Sequence, residues 1–226
     1  MPIEFTLVQK IAIWALPVIF AITIHEAAHG YAARALGDRT AESLGRLSLN
    51  PLRHIDPVGT VIVPGLLLAL GGFLFGWAKP VPVNFNNLRQ PRRDMALVAV
   101  AGPLSNAAQA LLWALLLKLL LQSGAQSGVV LGFTQMAVAG IVVNLILMVL
   151  NLLPLPPLDG GRVLTGLVPE ALARKLDRIE PYGFFILLGL LAIGWLGVIM
   201  GPGLRIAEQL VFNLLGMPSP GLFRSY

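Results

Sequence analysis

The sequence predicts an all-α polytopic membrane protein. Of its 226 residues, 56 % are hydrophobic and only 12 % are charged, which is too apolar for a soluble domain. Five long apolar stretches are each near the roughly twenty residues that cross a hydrocarbon core. They lie at about 7–36, 58–76, 95–121, 129–153 and 183–200. No internal repeat divides them, so we expect one integral-membrane domain, 1–226, with a core at about 7–165 and further C-terminal helices at about 166–226.

The charge distribution favours a membrane environment over a nucleic-acid partner. The net charge is +5, but the basic residues are scattered through short loops between apolar stretches. Anionic lipid headgroups and the positive-inside rule produce this pattern. We therefore expect the lipid bilayer as the surroundings and no nucleic acid as a partner. The chain has no Cys, which leaves His, Asp and Glu as the candidate ligands for a metal.

The first apolar stretch carries the pentapeptide His25-Glu26-Ala27-Ala28-His29. At about 100° per residue, the two histidines of a helix fall roughly 40° apart on one face, so both imidazoles can reach one metal ion. The alternative is a pair of interfacial histidines beside a snorkelling glutamate. Ionisable groups inside membrane segments are costly and usually functional, so the spacing favours a zinc site.

The second stretch is interrupted by Pro64-Gly65 and Gly71-Gly72, which are turn and kink signals. It either crosses the membrane as a broken helix or enters it and returns. If it returns, twelve of the sixteen basic residues share one side of the membrane; if it crosses once, the split is closer to nine against seven. The positive-inside rule prefers the first arrangement, with the basic side cytoplasmic.

Between the second and third stretches, residues 77–86 alternate valine with proline and end in asparagines. This pattern is typical of extended chain or of a short β-strand at a sheet edge. Such an edge can pair with an extended peptide by strand addition. The alternative is a rigid interfacial connector anchored by Trp77.

A catalytic zinc site has three protein ligands and one open position, so the two histidines need a third partner. Asp159 is the best candidate, because Pro154, Pro156 and Pro157 break the fourth apolar helix just before it and two glycines follow it. Broken helices at membrane depth are tolerated where they line a polar cavity. The alternative is that Asp159 caps a helix that begins near Arg162.

Glu26 is expected to act as general base and acid, and not as a ligand. Zinc-dependent hydrolysis needs a neighbouring carboxylate that takes a proton from the attacking water and returns it to the leaving group.

Three segments resemble the signature segments of the site-2 protease family of intramembrane zinc metalloproteases. They are His25-Glu26-Ala27-Ala28-His29-Gly30, Ala101-Gly102-Pro103-Leu104-Ser105-Asn106, and Asn151-Leu152-Leu153-Pro154 running into Leu158-Asp159-Gly160-Gly161-Arg162. With the flanking segments 49–57 and 76–84, the resemblance covers most of residues 20–165. The sequence is similar to the small prokaryotic branch of this family, whose members lack PDZ and CBS domains.

The resemblance implies regulated intramembrane proteolysis, in which peptide bonds in or near transmembrane segments of other membrane proteins are hydrolysed. It implies one Zn²⁺ per chain, held by the positions that match His25, His29 and Asp159, with Glu26 catalytic. It also implies a prokaryotic cell membrane, with the zinc towards the cytoplasmic side and a transmembrane protein as substrate.

Four further residues are expected near the site. Asn106 lies within the third apolar stretch, while Asn144 and Asn151 are seven residues apart on the fourth and share a face. The resemblance implies that asparagines at these positions lie near the active site, where they contact the substrate or the oxyanion or orient a ligand; the alternative is hydrogen bonding between helices. His54, in a His-x-Asp pair with Asp56, is expected to contact the site or a second metal, unless it makes only a structural hydrogen bond.

The C-terminal tail, about 203–216, is amphipathic. Arg205, Glu208 and Gln209 fall on one side and apolar residues occupy the rest. This composition predicts a helix that lies on the membrane and does not cross it.

Two other function classes use the same residues. A metal-ion transporter would bind its cargo with the His/Asp cluster, but it would not need Glu26 and would often show repeated halves, which this sequence lacks. A catalytically inactive relative would serve as a membrane scaffold, although all four key residues are present.

Overall fold

The computed structural model describes residues 5–62, 79–125 and 127–224. This part of the chain contains seven α-helices and no β-strand, so the predicted all-α class is confirmed. The helices are α1 (Leu7–Ala35), α2 (Thr40–Ser43), α3 (Pro91–Gln122), α4 (Gly128–Asn151), α5 (Asp159–Leu167), α6 (Glu170–Ala192) and α7 (Trp195–Leu214). Short 3₁₀ turns lie at Pro51–Arg53 and Phe85–Asn87, and a π-helical turn lies at Pro57–Ile62.

The three longest apolar helices are long enough to cross a membrane. At about 1.5 Å per residue, α1, α3 and α4 are roughly 36–48 Å long, against about 30 Å of hydrocarbon. Helix α1 begins with a capping box, in which Thr6 accepts from the Gln9 N–H and the Gln9 side chain accepts from the Thr6 N–H. Ser127 caps α4 through a single hydrogen bond, which its hydroxyl accepts from the Val130 N–H. The first, third and fourth predicted stretches are therefore helices.

These three helices pack against one another and leave apolar side chains on their outer faces. Helix α3 contacts both α1 and α4, and α1 also contacts α4. Large side chains such as Ile11, Leu104 and Phe133 are exposed, as lipid-facing positions require. The chain is an integral, multi-pass membrane protein.

The end of α1 and the start of α3 meet at the same end of the bundle. The Arg89 N–H donates to the Leu36 carbonyl at 3.1 Å, and the Asn84 N–H donates to Asp38 Oδ2 at 2.8 Å. The flanks of the second apolar stretch are also joined, because the Lys79 N–H donates to the His54 carbonyl at 2.9 Å. Most of that stretch, with Trp77, lies outside the described residues, so whether it crosses stays a prediction.

The fifth predicted stretch, 183–200, is not one helix. The chain breaks at Gly194, whose φ of +76° is a left-handed conformation that favours glycine, and α6 and α7 meet there at a bend of 90°. The apolar composition of 183–200 continues through this turn, which is why the hydrophobic pattern alone missed the break.

The tail at 203–216 belongs to α7, and one face of that helix is buried in the protein. Leu204, Val211 and Phe212 pack in one core with Leu145 of α4. Glu208, which we predicted on a polar outer side, is only 2 % exposed. Its Oε1 accepts hydrogen bonds from the Ser219 hydroxyl and from the N–H groups of Gly221 and Leu222. These bonds compensate the burial of the carboxylate and fasten the C-terminal segment to the bundle.

Candidate metal centre and active site

The two histidines of the pentapeptide lie one turn apart on the uninterrupted helix α1. Their Nε2 atoms are 3.1 Å apart, and their rings meet edge to face with centroids 4.7 Å apart. His25 is buried and His29 is nearly so. The spacing read from the sequence is therefore realised in three dimensions.

Asp159 joins this pair from a distant part of the chain. Its Oδ2 lies 3.3 Å from the Nε2 of His25 and 3.3 Å from the Nε2 of His29. Helix α5 begins at Asp159, and Leu158 stands at the cap position with φ −64° and ψ 158°. The alternative, that Asp159 caps a helix beginning near Arg162, is therefore wrong.

Two glycines allow the proline-rich loop to fold back on α5. A Cβ on Gly160 would lie 2.4 Å from the Leu152 carbonyl oxygen, and a Cβ on Gly161 would lie 2.3 Å from the Pro156 nitrogen. Neither contact is possible for a larger residue without moving backbone. The two glycines thus let the first turn of α5 sit under the end of α4, and this position brings the Asp159 carboxylate to the histidines.

Hydrogen bonds on the far side of each imidazole decide which ring nitrogen carries the proton. The Nδ1 of His29 faces the Val98 carbonyl at 2.8 Å, and the Nδ1 of His25 faces Asn106 Oδ1 at 2.6 Å. A carbonyl oxygen only accepts, so both Nδ1 atoms are donors. In the neutral imidazoles, both Nε2 atoms then present lone pairs towards Asp159.

This convergence fits a zinc ion. Asp159 Oδ2 is buried and has no hydrogen-bond donor among the described residues, so three lone-pair atoms converge on one point. Such an arrangement is repulsive unless a cation lies at its centre. Bonds of 2.0–2.1 Å in a tetrahedral zinc site separate the ligand atoms by about 3.3–3.4 Å, which matches the 3.1–3.3 Å found here.

Helix α3 comes unusually close to the cluster at Gly102. A Cβ on this residue would lie 2.4 Å from His29 Nε2 and 2.6 Å from His25 Cε1. Only glycine leaves room for the imidazoles and for an ion between them. No role was predicted for Gly102 from the sequence, although a glycine followed by a proline in mid-helix was a signal for one.

Glu26 lies beside the cluster but outside it. Its Oε2 accepts a hydrogen bond from the Val81 N–H at 2.8 Å. Among the described residues, only His25, His29 and Asp159 bring ligand atoms within 4.8 Å of one another. Glu26 is thus placed as a neighbour of the centre, which is the position that a general base needs.

A cleft opens onto the centre between the bundle and the segment 79–86. The walls include residues from the two sides of the cleft: Pro80, Val81, Val83 and Phe85 from the segment, and Asn151, Pro157 and Arg162 from the region around α5. Arg162 is 38 % exposed; its guanidinium stacks on the Phe85 ring at 5.2 Å and lies 3.6 Å from Glu180. One cation and one amide therefore line the cleft, and the cation also contacts the extended segment through Phe85.

The segment 79–84 has no regular secondary structure and is held from several sides. Prolines 80 and 82 fix their own φ and restrict the residues before them to extended conformations. Arg46 donates to the carbonyls of Lys79 and Pro80. No hydrogen-bond acceptor contacts the Val83 N–H in the described part of the chain, and Val81, Val83 and Phe85 alternate along one wall of the cleft.

Asp38 fastens the far end of this segment. Its carboxylate, 1 % exposed, accepts from the Asn84 N–H, the Asn87 amide, and the N–H and hydroxyl of Thr40. Burial tends to raise the pKa of the carboxyl, but the bonds from Thr40, Asn87 and Asn84 outweigh burial and hold the pKa below its ordinary value.

The predicted asparagines divide into two kinds. Asn106 and Asn144 are fully buried and do not line the cleft; Asn106 Nδ2 donates to Asn144 Oδ1 at 2.9 Å and, at 3.3 Å, to the Ala21 carbonyl. They therefore lie behind His25, on the side of its ring that faces away from Asp159, and outside the cleft. Asn151 lines the cleft and donates to the Leu147 carbonyl.

His54 is not brought to the centre. Its Nε2 lies 2.8 Å from the Ser48 carbonyl, and its own carbonyl accepts from Lys79. Asp56 accepts from the N–H groups of Val58 and Gly59. These bonds hold the connection before the second apolar stretch in place. They are structural hydrogen bonds, which were the predicted alternative to a role of the His-x-Asp pair in the site.

Comparison with known proteins identifies the family. The model of peptidase family M50 matches residues 122–193, which include Asp159. A Bacillus subtilis protein named "Putative zinc metalloprotease YwhC" is 39 % identical over 201 residues, which cover 88 % of this chain and 89 % of that protein. The chain belongs to peptidase family M50, the site-2 protease family.

Two less similar relatives also have names that describe zinc metalloproteases. Proteins named "Putative zinc metalloprotease Rip2" from Mycolicibacterium smegmatis and Mycobacterium tuberculosis H37Rv are 34 % and 32 % identical, over 76 % and 80 % of this chain and 64 % and 65 % of their own lengths. No solved structure matches the chain. Together with a His/His/Asp cluster able to bind a metal, these relatives make this M50 protein a zinc metallopeptidase with one Zn²⁺.

Proposed function

We propose that this zinc metallopeptidase is an intramembrane endopeptidase, which hydrolyses peptide bonds in or near transmembrane segments of other membrane proteins in regulated intramembrane proteolysis. The observation that carries the proposal is the position of the centre: His25 and His29 lie within α1, an apolar helix of membrane-spanning length. A soluble substrate would not reach a site in such a helix, whereas a transmembrane segment lies at the same depth.

In this proposal His25, His29 and Asp159 hold the zinc and Glu26 is the catalytic base. A zinc ion held there supplies Lewis-acid activation of the water and of the scissile carbonyl. Glu26 accepts the proton of the attacking water at Oε1, which no donor among the described residues contacts, while Oε2 stays bonded to the Val81 N–H. Glu26 then passes that proton to the nitrogen of the leaving amine.

The substrate binds in extended form along the segment 79–86. A helical peptide bond is shielded by its own hydrogen bonds, so the scissile region has to unwind. Pro80 and Pro82 have no N–H, and the Val81 N–H already binds Glu26, which leaves the Val83 N–H as the donor for an added strand. The available Val83 N–H favours the strand-edge interpretation over the rigid connector.

Two polar side chains of the cleft can stabilise the developing oxyanion. The Asn151 side chain and the Arg162 guanidinium both line the cleft. Preorganised amide and cationic donors stabilise negative charge in a site of low dielectric constant. We assign Asn151 to this role, with Arg162 as the cationic group of the same cleft.

We further propose that the protein lies in the cell membrane of a prokaryote, with the active site towards the cytoplasm. Arg46, Arg89 and Arg92 lie on the loops and helix ends beside the site, at the end of the bundle where α1 finishes and α3 begins. The positive-inside rule assigns that end to the cytoplasm. The hydrogen bond between Lys79 and His54 supports one side for both flanks of the second apolar stretch.

The whole chain is proposed to be one domain. Helix α7 shares its core with α3 and α4, and Glu208 fastens the C-terminal segment to it. The metal-transporter and inactive-scaffold alternatives are not favoured, because a close relative is named a zinc metalloprotease and Glu26 lies beside the ligand cluster without belonging to it.

Glu26→Gln in the purified full-length protein tests the proposal. The amide keeps the size of the side chain but cannot take a proton, so cleavage of a model transmembrane substrate in proteoliposomes should fall at least about a hundredfold while zinc content stays at the wild-type level. Glu170→Gln, on the exposed start of α6, is the control. Persistent cleavage by Glu26→Gln with zinc bound would overturn the assigned mechanism, and loss of zinc would make Glu26 a ligand.

A further inference from the structure

Asn144 is buried on α4, away from the cleft, yet it is connected to the metal centre by hydrogen bonds. Its Nδ2 donates to the Gly140 carbonyl at 2.8 Å, and its Oδ1 accepts from Asn106 Nδ2 at 2.9 Å. Asn106 Oδ1 in turn faces the Nδ1 of His25 at 2.6 Å. Two amides thus link a backbone carbonyl of α4 to an imidazole of α1.

The backbone carbonyl of Gly140 determines the direction of every hydrogen bond in this series, which runs from Gly140 through Asn144 and Asn106 to His25. The Gly140 carbonyl can only accept, so the amide nitrogen of Asn144 must face it and the amide oxygen must face Asn106. The amide nitrogen of Asn106 then faces Asn144, and its oxygen faces His25. The proton of His25 is consequently on Nδ1, and the Nε2 lone pair points to the centre.

Without Asn144, the Asn106 amide nitrogen would lose the shorter of its two hydrogen bonds, and the orientation of the amide would be less well fixed. The remaining partner of its Nδ2 is the Ala21 carbonyl at 3.3 Å, a long hydrogen bond. If the Asn106 amide turned over, its nitrogen would face His25 Nδ1 and would favour a proton on Nε2. That tautomer of His25 has no lone pair at the centre and cannot bind a metal through Nε2.

We propose that Asn144 is a positioning residue that sets the zinc affinity by fixing, through Asn106, the tautomer and orientation of His25. The inference rests on the ligand set given in the proposed function. Asn144 contacts neither the cluster nor the cleft, so its effect is exerted entirely through Asn106. Partners that orient a metal-binding imidazole typically change metal affinity 10–100-fold when removed.

The test measures zinc affinity by competition with a chelator, in purified full-length protein in detergent. Asn144→Leu should weaken zinc binding by about tenfold or more. Asn144→Asp should stay within about threefold of the wild type, because a protonated carboxyl has the donor that the Gly140 carbonyl requires and a second oxygen that accepts from Asn106. Asn106→Leu should weaken binding at least as much as Asn144→Leu, and the double variant should weaken it no further than Asn106→Leu alone.

Thr134→Val is the matched control for zinc affinity. Thr134 lies on the same helix, and its hydroxyl also donates to the carbonyl four residues earlier, at 2.8 Å, but it neither lines the cleft nor bonds to Asn106. Its replacement should leave zinc affinity unchanged. Equal losses in Asn144→Leu and Thr134→Val would show that a polar side chain of α4 matters only for packing, and would overturn the proposal.

The His25 tautomer is a second readout, which requires neither zinc nor activity. The chain has only three histidines, so ¹⁵N-histidine labelling gives three rings to resolve, and His54→Gln assigns one of them. We expect Nδ1–H at His25 in the wild type and in Asn144→Asp, and a mixture of tautomers in Asn144→Leu. An unchanged tautomer and unchanged affinity in a folded Asn144→Leu protein would refute the role of Asn144. Retention of full affinity by His25→Ala would instead refute the ligand set.

Discussion

The Val81 N–H donates a 2.8 Å hydrogen bond to Oε2 of Glu26, and this bond joins the wall of the cleft to the residue that we assign as the base. The same segment that is proposed to hold the substrate therefore also orients the carboxylate. One oxygen of Glu26 is fixed, and the other stays available for proton transfer.

Removal of this bond should lower turnover without loss of zinc. In Val81→Pro the residue keeps an extended conformation but has no N–H to donate. We expect cleavage of a transmembrane substrate to fall by about ten- to a hundredfold, because misplacement of a catalytic group by about 1 Å has effects of this size. Val81→Ala, which keeps the N–H, is the control. Wild-type turnover in Val81→Pro would show that the bond does not position Glu26.

Asp159 should be required for zinc binding. Asp159→Ala leaves two protein ligands, so zinc affinity should fall by more than the ~100-fold that loss of an outer hydrogen bond costs. Asp159→Glu keeps a carboxylate and should retain part of the affinity. Zinc content after dialysis, measured by atomic emission, decides the matter; a stoichiometric zinc ion in Asp159→Ala would mean that another residue is the third ligand.

Gly102→Ala should abolish zinc binding although it replaces one helix-compatible residue with a better one. The new Cβ would lie 2.4 Å from His29 Nε2, so the imidazole or the helix has to move. Gly132→Ala is a matched control on α4, where the nearest atom to the new Cβ is 3.9 Å away. Normal zinc content in a folded Gly102→Ala protein would contradict the close approach of α3 to the histidines.

The proposed topology can be tested with single cysteines, because the natural chain has none. Ser43→Cys and Asn86→Cys flank the second apolar stretch and should react with an impermeant thiol reagent from the same side of oriented vesicles. Gln122→Cys, at the other end of α3, should react from the opposite side. Labelling of positions 43 and 86 from opposite sides would establish a net crossing between them.

Asp38 should give the segment 79–87 a pH-dependent stability. Its pKa is lowered in the folded state, so its contribution is fully present above the unfolded pKa of about 3.9 and is lost as pH falls through the lower folded value. Asp38→Asn should cost about 1–3 kcal/mol at pH 7, because buried donors lose their acceptor, and the difference from wild type should narrow towards pH 3. Thermal unfolding in detergent measures this.

Asp177→Asn, at an exposed position of α6, is the control for the pH experiment. It should leave the unfolding temperature unchanged at both pH values. A difference between Asp38→Asn and wild type that stays constant from pH 7 to pH 3 would show that the Asp38 charge does not contribute.

Local patterns in the sequence were sufficient to predict the fold class and much of the candidate metal centre. The apolar stretches predicted α1, α3 and α4 because about twenty apolar residues without charge have few other stable environments. The same signal failed at 183–200, where composition stays apolar through the turn at Gly194, and at Glu208, whose burial depends on three donors from a segment eleven or more residues later.

The sequence by itself determined that His25 and His29 share a helix face, because helical periodicity is a local property of the chain. It also made Asp159 the best candidate for the third ligand, because three prolines break an apolar helix just before it. Only the tertiary structure decided that Asp159 meets the histidines, that Gly102 leaves them room, and that Asn106 and Val98 orient their rings. These relationships join residues more than sixty positions apart, and the packing of α1, α3, α4 and α5, which no local pattern encodes, sets their distances.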